Sequence, residues 1–365
     1  MLNFTIPVPD GTTNHGNPNL LCLPPQWTDY VLFYIGNYFA HAATIMLEPG
    51  NSAVINLLRC TYALAFPLIG IVRAVDVLIL RPGFARGPLE KAARSRALSR
   101  KWWDGYLVEC KPIKLTHGAY YLPNNFALYL LPPNTPVHIK SEKPLTQGIS
   151  NAYSMPKIFI SLAQLLWTIT TLYRARGDQI QHYGYAAFGL TVSPFAWMSF
   201  LNLIGNSLTP TYETVYLVQT PSLKEAEDQG GEFLGVVGEI DLGAITRGDG
   251  TYDLRQNPFN RWLRICLWGF IGLVPLAILG GMSKFAAGHS TVAERAWIMS
   301  WIVVGWAIPV IFALIIAYLK NKTKVGIWTG GPVILCFVLS FVPVIGGFVV
   351  VGRMLRDFGV CRLIG

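Results

Sequence analysis

Charged residues are scarce in this chain of 365 residues: they make up 13% of the sequence, whereas 52% of the residues are hydrophobic. A soluble globular domain carries roughly a quarter of its residues as charged side chains, and a disordered chain has few hydrophobic residues. The composition therefore excludes both classes. It indicates an integral membrane protein.

Acidic residues are fewer than basic ones, 20 against 29, which gives a formal net charge of +9. Nucleic-acid binding is one interpretation of such an excess, but the basic residues cluster beside apolar segments. Membrane proteins carry an excess of Lys and Arg in their cytoplasmic loops. We therefore attribute the charge to membrane topology and expect no nucleic-acid partner.

Motifs for metal, nucleophilic or phosphate chemistry are missing. The six cysteines form no CxxC pair and no cluster with histidine, which predicts free thiols and no metal site. No GxSxG, HExxH or P-loop pattern occurs. Aspartate pairs suited to magnesium are absent from the apolar segments, and the closest pair, Asp249 and Asp253, lies in a polar loop. We expect no cofactor.

Seven apolar segments are long enough to cross a bilayer core of about 30 Å as helices. They predict an all-α integral membrane helix bundle of about seven transmembrane helices with a small cytoplasmic insertion that contains β-strands. The predicted spans are 26–46, 53–80, 158–173, 184–205, 262–282, 296–319 and 326–351.

The segments between these spans complete the predicted organisation. Residues 81–157 hold twelve Lys or Arg, which indicates a cytoplasmic loop with interfacial elements. The same bias predicts a cytoplasmic amino terminus, and the carboxyl terminus then lies outside unless the last span is re-entrant. The predicted units are an irregular segment 1–25, helices at 26–80, the loop 81–157, helices at 158–205, a polar loop with short strands at 206–261, helices at 262–351 and a tail 352–365.

Polar side chains follow one face of the earlier spans, whereas the spans after residue 261 are apolar nearly all round. In the span 26–46 the polar positions recur every three or four residues, which places them in one stripe on a helix. The same spacing recurs in the third and fourth spans, and one arginine of the second span has no carboxylate close to it in sequence. The polar set is Tyr34, Asn37, Arg59, Gln164, Asn202 and Asn206.

Amide and charged groups inside a membrane are rare, and they normally face a bundle interior or a cavity. We therefore expect these six residues to line one shared, sheltered chamber that binds a substrate. An alternative stays open at this point: each residue makes a hydrogen bond between helices and serves only to hold the bundle together.

Proton transfer needs none of the metal, nucleophile or phosphate motifs that the sequence lacks. A carboxylic acid or imidazole in a dry cavity has a shifted pKa and can give or take a proton. Glu213, which follows the polar face of the fourth span, is the first candidate acid, and His41 and Asp29 are the others. For Asp29 the alternative is a solvated carboxylate at a helix end, and for His41 it is an interhelical hydrogen bond.

Three stretches, YIGNYFAHAAT, FPLIGIVRA and SPFAWMSFLNLIGNSLTPTYETVYLV, resemble blocks of fungal multi-pass membrane proteins over the first two thirds of the chain. Among such proteins with an assigned role, the chain is similar to the membrane-bound terpene cyclases of meroterpenoid pathways, of the ascofuranone and macrophorin type. No catalytic residue of that family maps onto a position of this sequence.

The resemblance implies a metal-independent enzyme of the isomerase or lyase type in secondary metabolism. It would close a prenyl chain by protonating an epoxide or an olefin. The implied partners are the lipid bilayer and a lipophilic prenylated small molecule, and the implied location is the endoplasmic reticulum or another internal membrane. The competing hypothesis is a multi-pass channel or transporter for an ion or small solute.

Overall fold

A computed structural model of the chain is mostly helical. It describes residues 9–85, 87–103, 115–121, 126–130, 137–138, 149, 152–240, 258–319, 335 and 338–363. Asp249 and Asp253 lie outside the described residues, as do Cys110 and Cys336.

The α-helices of the described part account for most of its ordered backbone. In chain order they are α1 Trp27–Asn37, α2 Ala53–Ala65, α3 Pro67–Leu80, α4 Pro88–Arg94, α5 Met155–Ala175, α6 Asp178–Tyr183, α7 Ser193–Leu208, α8 Pro221–Asp228, α9 Pro258–Ile271, α10 Val274–Ser283, α11 Val292–Leu319 and α12 Phe341–Phe358. Two 3-10 segments matter for the site: Phe39–Thr44 follows α1, and Phe188–Val192 precedes α7.

Four helical stretches of the described part are long and apolar enough to cross a membrane, which indicates a membrane protein. They are Met155–Ala175, Phe188–Leu208, Trp262–Ser283 and Val292–Ile315. These correspond to the third, fourth, fifth and sixth predicted spans. The long apolar run of each one explains the agreement, because about twenty apolar residues are needed to cover a bilayer core.

The other predicted spans differ from single straight helices. In 26–46, α1 ends at Asn37 and gives way to the 3-10 segment. In 53–80 the chain bends by 113° between α2 and α3, because Pro67 starts a new helix and lacks the N–H that would continue the old one. The last span, 326–351, lies partly outside the described residues, and α12 covers its second half.

The two ends of the chain meet. Strand β1, Leu20–Leu23, pairs antiparallel with the last strand, Val360–Leu363, and a disulfide joins Cys22 to Cys361. The predicted free thiols are therefore wrong for this pair. A separation of 339 residues gives no local signal for it, whereas Cys60 and Cys266 are free as expected.

A five-stranded sheet covers one end of the bundle. It takes β2 Leu98–Trp103, β4 Phe126–Leu130 and β5 Val137–His138 from the loop 81–157, and β6 Tyr216–Gln219 and β8 Val236–Ile240 from 206–261, in the order β4-β2-β6-β8-β5. A smaller sheet pairs β3, Tyr120–Tyr121, with β7, Glu232–Phe233. The two predicted loops thus fold as one unit. The stretch 119–133, in which the sequence predicts one of the interfacial elements of the loop 81–157, forms strand at Tyr120–Tyr121 and Phe126–Leu130.

The core lies where α3, α5 and α7 pack together. Small residues let α3 approach α7 closely: a Cβ added to Gly205 would lie 2.3 Å from Sδ of Met46 and 3.3 Å from Cα of Ala74. Such small residues are common where membrane helices cross, because they bring backbones into van der Waals contact.

We expect Gly205→Val to lower the thermal unfolding midpoint of the detergent-solubilised protein. The flexible Met46 side chain can move away, but the α3 backbone at Ala74 cannot, and overpacking of this kind costs about 1–3 kcal/mol. Gly281→Val in α10 is the matched control, since a Cβ there meets nothing within 4 Å. Equal midpoints for the two variants would contradict the close crossing of α3 and α7.

Candidate functional site

A pocket opens at the end of the bundle that carries the five-stranded sheet. We call it the mouth pocket. Its polar lining comes from α3, the start of α5, the end of α7 and the segment that leads into β6, namely Arg73, Lys157, Asn206, Thr209, Thr211 and Tyr212. Two of these six side chains are cationic and none is acidic.

Arg73 is the most unusual residue of the mouth pocket. Its side chain is 3% exposed, and Nη2 donates a hydrogen bond of 2.5 Å to the Ser95 carbonyl oxygen. Nε and Nη1 are buried with no hydrogen-bond partner among the described residues. Buried guanidinium nitrogens without hydrogen-bond partners are unfavourable, and Asp76 and Glu48 act on Arg73 only through space. An anionic ligand in the pocket would remove that penalty.

Asp76 lies one helical turn from Arg73, a spacing from which the sequence predicts that the two could neutralise each other, but it interacts with Arg73 only through space. Its carboxylate makes ion pairs with Arg96 at 2.9 Å and with Arg264 at 3.7 Å. The second carboxylate of this region, Glu48, makes an ion pair with Arg59 at 3.3 Å. The expectation that Arg59 has no local carboxylate is therefore wrong, because the turn before α2 brings Glu48 to it.

Positive charge exceeds negative charge around the mouth pocket. Lys157 adds a partly buried ammonium group, whose Nζ contacts the Ile45 carbonyl oxygen at 3.5 Å. The carboxylates named above already have ion pairs. Charge balance therefore favours an anion from outside the chain, and Arg and Lys are the side chains that bind carboxylates and phosphates.

Tyr212 supplies a neutral donor to the same pocket. Burial raises the pKa of its phenol well above the ordinary value, so the hydroxyl keeps its proton. The hydroxyl approaches Ser95 without forming a hydrogen bond of good geometry with any described residue. Ser95 instead shares a hydrogen bond of 2.9 Å with Thr209. The Tyr212 hydroxyl is thus available to an anion.

A buried polar cluster continues from the mouth pocket into the bundle, between the Phe39–Thr44 segment, α5 and α7. His41 is fully buried, and its Nδ1 lies 2.6 Å from Oγ of Ser199. Ser199 contacts Oγ1 of Thr44 at 3.5 Å, and Asn206 donates to the Thr44 carbonyl oxygen at 3.2 Å. Asn206 belongs to both sites and connects them.

Several polar atoms of this cluster have no hydrogen-bond partner in the described part of the chain. They are Nε2 of His41, Oγ of Ser161, Oε1 of Gln164 and both amide atoms of Asn202. Buried polar groups in native proteins are nearly always satisfied by protein, water or ligand. The unpaired atoms are therefore the positions at which a water molecule or a polar ligand atom would bond.

The structure brings together part of the predicted set. Hydrogen bonds through Ser199 and Thr44 link His41 to Asn206. Asn202 lies on the same face of α7 as Ser199 and Asn206, and the Gln164 oxygen on α5 is buried without a described partner. The remaining predicted binding residues are engaged elsewhere: Asn37 accepts from Thr171 at 2.8 Å, the Tyr34 hydroxyl donates to the Phe348 carbonyl at 2.5 Å, and Arg59 pairs with Glu48.

The two carboxylates predicted as acids lie outside the cluster. Glu213 is exposed beside Tyr212, and its backbone oxygen accepts a hydrogen bond from Gly50. Asp29 accepts a hydrogen bond of 2.7 Å from the backbone N–H of Gln26 at the start of α1. It thus has the alternative role given above, that of a carboxylate at a helix end. His41 is thus the predicted proton-transfer residue that the structure places in the buried cluster.

An apolar cavity lies beside α3 and α7. It sits where the α2–α3 break and the α9–α10 break approach the start of α7, and its lining includes Pro67, Phe195, Trp197, Trp301 and Trp306. Indole N–H groups bond the carbonyl oxygens of Ile271 and Gly269 next to the α9–α10 break. The Phe195 ring, 5.7 Å from the His41 ring, stands between this cavity and the buried polar cluster.

Sequence reasoning missed the mouth pocket because Arg73 has a carboxylate three residues away. Comparisons of the chain with protein-family models, curated protein sequences and solved structures found no match. Function is therefore inferred from the residues of the mouth pocket and the buried polar cluster.

Proposed function

We propose that the protein is a membrane-embedded enzyme that binds a lipid-soluble substrate through an anionic group of that substrate. One observation carries the proposal: the buried Arg73 guanidinium faces the mouth pocket with two nitrogen atoms that have no partner among the described residues. The anion would bind Arg73 and Lys157, and the apolar remainder of the substrate would lie among the helices.

A membrane topology supports this placement. We propose six crossings, formed by α1 with its 3-10 segment, α5, α7, α9 with α10, α11 and α12. The bent pair α2–α3 begins and ends at the mouth pocket, because Gly50 bonds Glu213 before α2 and Asp76 bonds Arg96 near the end of α3. An even number of crossings agrees with the pairing of the two chain ends.

The distribution of Lys and Arg determines how we orient this topology in the membrane. The loop 81–157, with its twelve basic residues, lies at the mouth-pocket end, which we assign to the cytoplasm. Both chain termini then lie on the opposite face. The amino terminus changes sides relative to the sequence-based expectation, because the second predicted span returns to the face from which it started.

The reaction that we propose is the cyclisation implied by the family resemblance. A phenolate or carboxylate on an aromatic core would occupy the mouth pocket, and the attached prenyl chain would extend along α5 and α7 toward His41. Protonated His41 would give its proton to an epoxide oxygen or an olefin, a ring carbon–carbon bond would form, and the final cation would return a proton. The product has the mass of the substrate.

The buried cluster supports His41 as the group that moves this proton. The hydrogen bond between Nδ1 and Ser199 orients the ring, and Nε2 is the nitrogen left for a substrate. A general acid must lie within hydrogen-bond reach of the atom that it protonates. The exposed Glu213 side chain does not meet that condition for a substrate held in the buried cluster.

Substitution of His41 tests this assignment in a host that expresses the protein and is fed a linear farnesylated phenolic epoxide. We expect wild type to yield a cyclised isomer of equal mass, and His41→Gln to lower conversion at least about 100-fold, as loss of general acid catalysis does. Glu213→Gln is the matched variant and should retain activity. Loss of conversion in Glu213→Gln alone would assign the acid to Glu213. No conversion by wild type would contradict the cyclase.

A transporter is the second candidate, and the broken helices around the apolar cavity favour it. Transporters often build substrate sites from interrupted helices near the middle of the membrane. Vesicles reconstituted with the protein should then take up a labelled organic anion and leave that anion chemically unchanged. Uptake by wild type with the anion recovered intact would favour the transporter over the enzyme.

A further inference from the structure

Three of the six histidines gather on the face opposite the mouth pocket. His15 belongs to the segment before β1, His182 to α6, and His289 to the connection between α10 and α11. The ring centroids of His15 and His182 are 5.7 Å apart, and those of His182 and His289 are 6.1 Å apart. Segments distant in sequence thus bring imidazole groups to one place.

The Cys22–Cys361 disulfide lies beside these histidines. A ring nitrogen of His15 and the two sulfur atoms are all within 4.8 Å of one another. No ion fits between the sulfur atoms while they are bonded to each other. Once reduction lets them separate, the His15 nitrogen and the two sulfurs are close enough to bind a single ion, because Zn–S bonds are about 2.3 Å long and Zn–N bonds about 2.0 Å. Cys22 is fully buried, whereas His15 and Cys361 are partly exposed, so an ion has access from solvent.

A hydrogen bond fixes the orientation of the His15 ring, as is usual for metal-binding histidines. Its Nε2 bonds the Phe358 carbonyl oxygen at 2.8 Å, which leaves Nδ1 as the nitrogen for a metal. The ring also stacks on Phe358, with centroids 4.4 Å apart. The backbone of His15 has φ of 50°, a left-handed conformation that costs a non-glycine residue energy and recurs at functional sites.

We propose that Cys22, Cys361, His15 and His182 form a redox-controlled zinc site. In the oxidised chain the sulfurs are bonded to each other. A dithiol reductant transfers two electrons and two protons to this disulfide, becomes a disulfide itself, and leaves two thiols. Zinc then displaces the two thiol protons and binds two thiolates and two neutral imidazoles. Cys₂His₂ is a common tetrahedral ligand set for this ion.

His182 is placed to be the fourth ligand, because its ring centroid lies 5.7 Å from that of His15.

Cobalt titration of the full-length protein in detergent tests the site, with Co²⁺ as a coloured probe for zinc. The protein is reduced with dithiothreitol, freed of the reductant under argon and titrated. We expect sulfur-to-cobalt charge-transfer bands and tetrahedral d–d bands at about one ion per chain, only after reduction. Cys361→Ser and His182→Ala should weaken binding at least about 10-fold. Cys266→Ser and His117→Ala, away from the cluster, are the matched controls.

Alkylation of the cysteines is a second readout, which is needed because reduction can also affect folding. In wild type, Zn²⁺ should slow alkylation of Cys22 and Cys361 by N-ethylmaleimide, as followed by peptide mass spectrometry, and should leave alkylation of the exposed Cys266 unchanged. The zinc site is overturned if the reduced protein shows no thiolate bands, or if His182→Ala binds Co²⁺ like wild type. A reduced chain that unfolds and is not recovered by Zn²⁺ also overturns it.

Discussion

The Arg73→Gln variant is expected to bind an anionic amphiphile about 100-fold more weakly than the wild-type protein. Removing one partner of a buried charge pair costs about 2–5 kcal/mol, and about 2.7 kcal/mol corresponds to a factor of 100. Glutamine is two atoms shorter than arginine and carries no charge, so the hydrogen bond from Nη2 to the Ser95 carbonyl oxygen is lost with the charge. The substitution therefore removes the charge and the two nitrogen atoms without partners, and it leaves empty space where the guanidinium lay.

Fluorescence titration with 11-(dansylamino)undecanoic acid measures this effect, with dodecyl phosphate as a competitor that represents the other anionic headgroup. The methyl ester of the same probe lacks the charge and should bind wild type and Arg73→Gln alike. Arg94→Gln is the matched control, because Arg94 makes an ion pair with Glu90 at the surface. Lys157→Gln should weaken binding by a smaller factor, since Lys157 is less buried than Arg73. Equal affinity of wild type and Arg73→Gln for the acid would contradict an anion site in the mouth pocket.

The Asp76→Asn variant should lose about 3–5 kcal/mol of unfolding free energy. Asp76 is 2% exposed and lies between Arg96 and Arg264, so its loss leaves two arginines beside Arg73 without the carboxylate. Removal of one partner from a buried ion pair has this cost because the remaining charge stays desolvated. Asparagine has the same shape, so packing changes little.

Equilibrium unfolding of the detergent-solubilised protein in a denaturing detergent measures the loss. Glu90→Gln is the matched control, because the Glu90–Arg94 pair lies at the surface and such pairs contribute about 0–1 kcal/mol. A similar small loss for both variants would show that Asp76 does not hold α3 to the sheet and to α9.

Local sequence patterns predict the parts of the fold that depend only on residues close together in the sequence. Four long apolar runs form helices of spanning length, and the spacing of Asn202 and Asn206 places both on the face of α7 that meets His41. A helical period of 3.6 residues is enough to assign such a face.

The predictions that were wrong concern contacts between residues that are distant in sequence. Asp76 pairs with Arg96 and Arg264, 20 and 188 positions away, although Arg73 is only three positions away. The disulfide closes over 339 residues, and the five-stranded sheet joins strands from two loops. Pro67 inside an apolar run was a local signal for the bend between α2 and α3, because proline breaks helices in their interior.

Native mass spectrometry of the protein, purified from its own membrane in mild detergent, tests the mouth pocket most directly. Because Nε and Nη1 of Arg73 have no hydrogen-bond partner among the described residues, we predict that wild type retains an anionic, lipid-soluble small molecule that is absent from Arg73→Gln prepared in the same way. A wild-type protein that carries no such molecule, or the same molecule bound equally by both proteins, would contradict it.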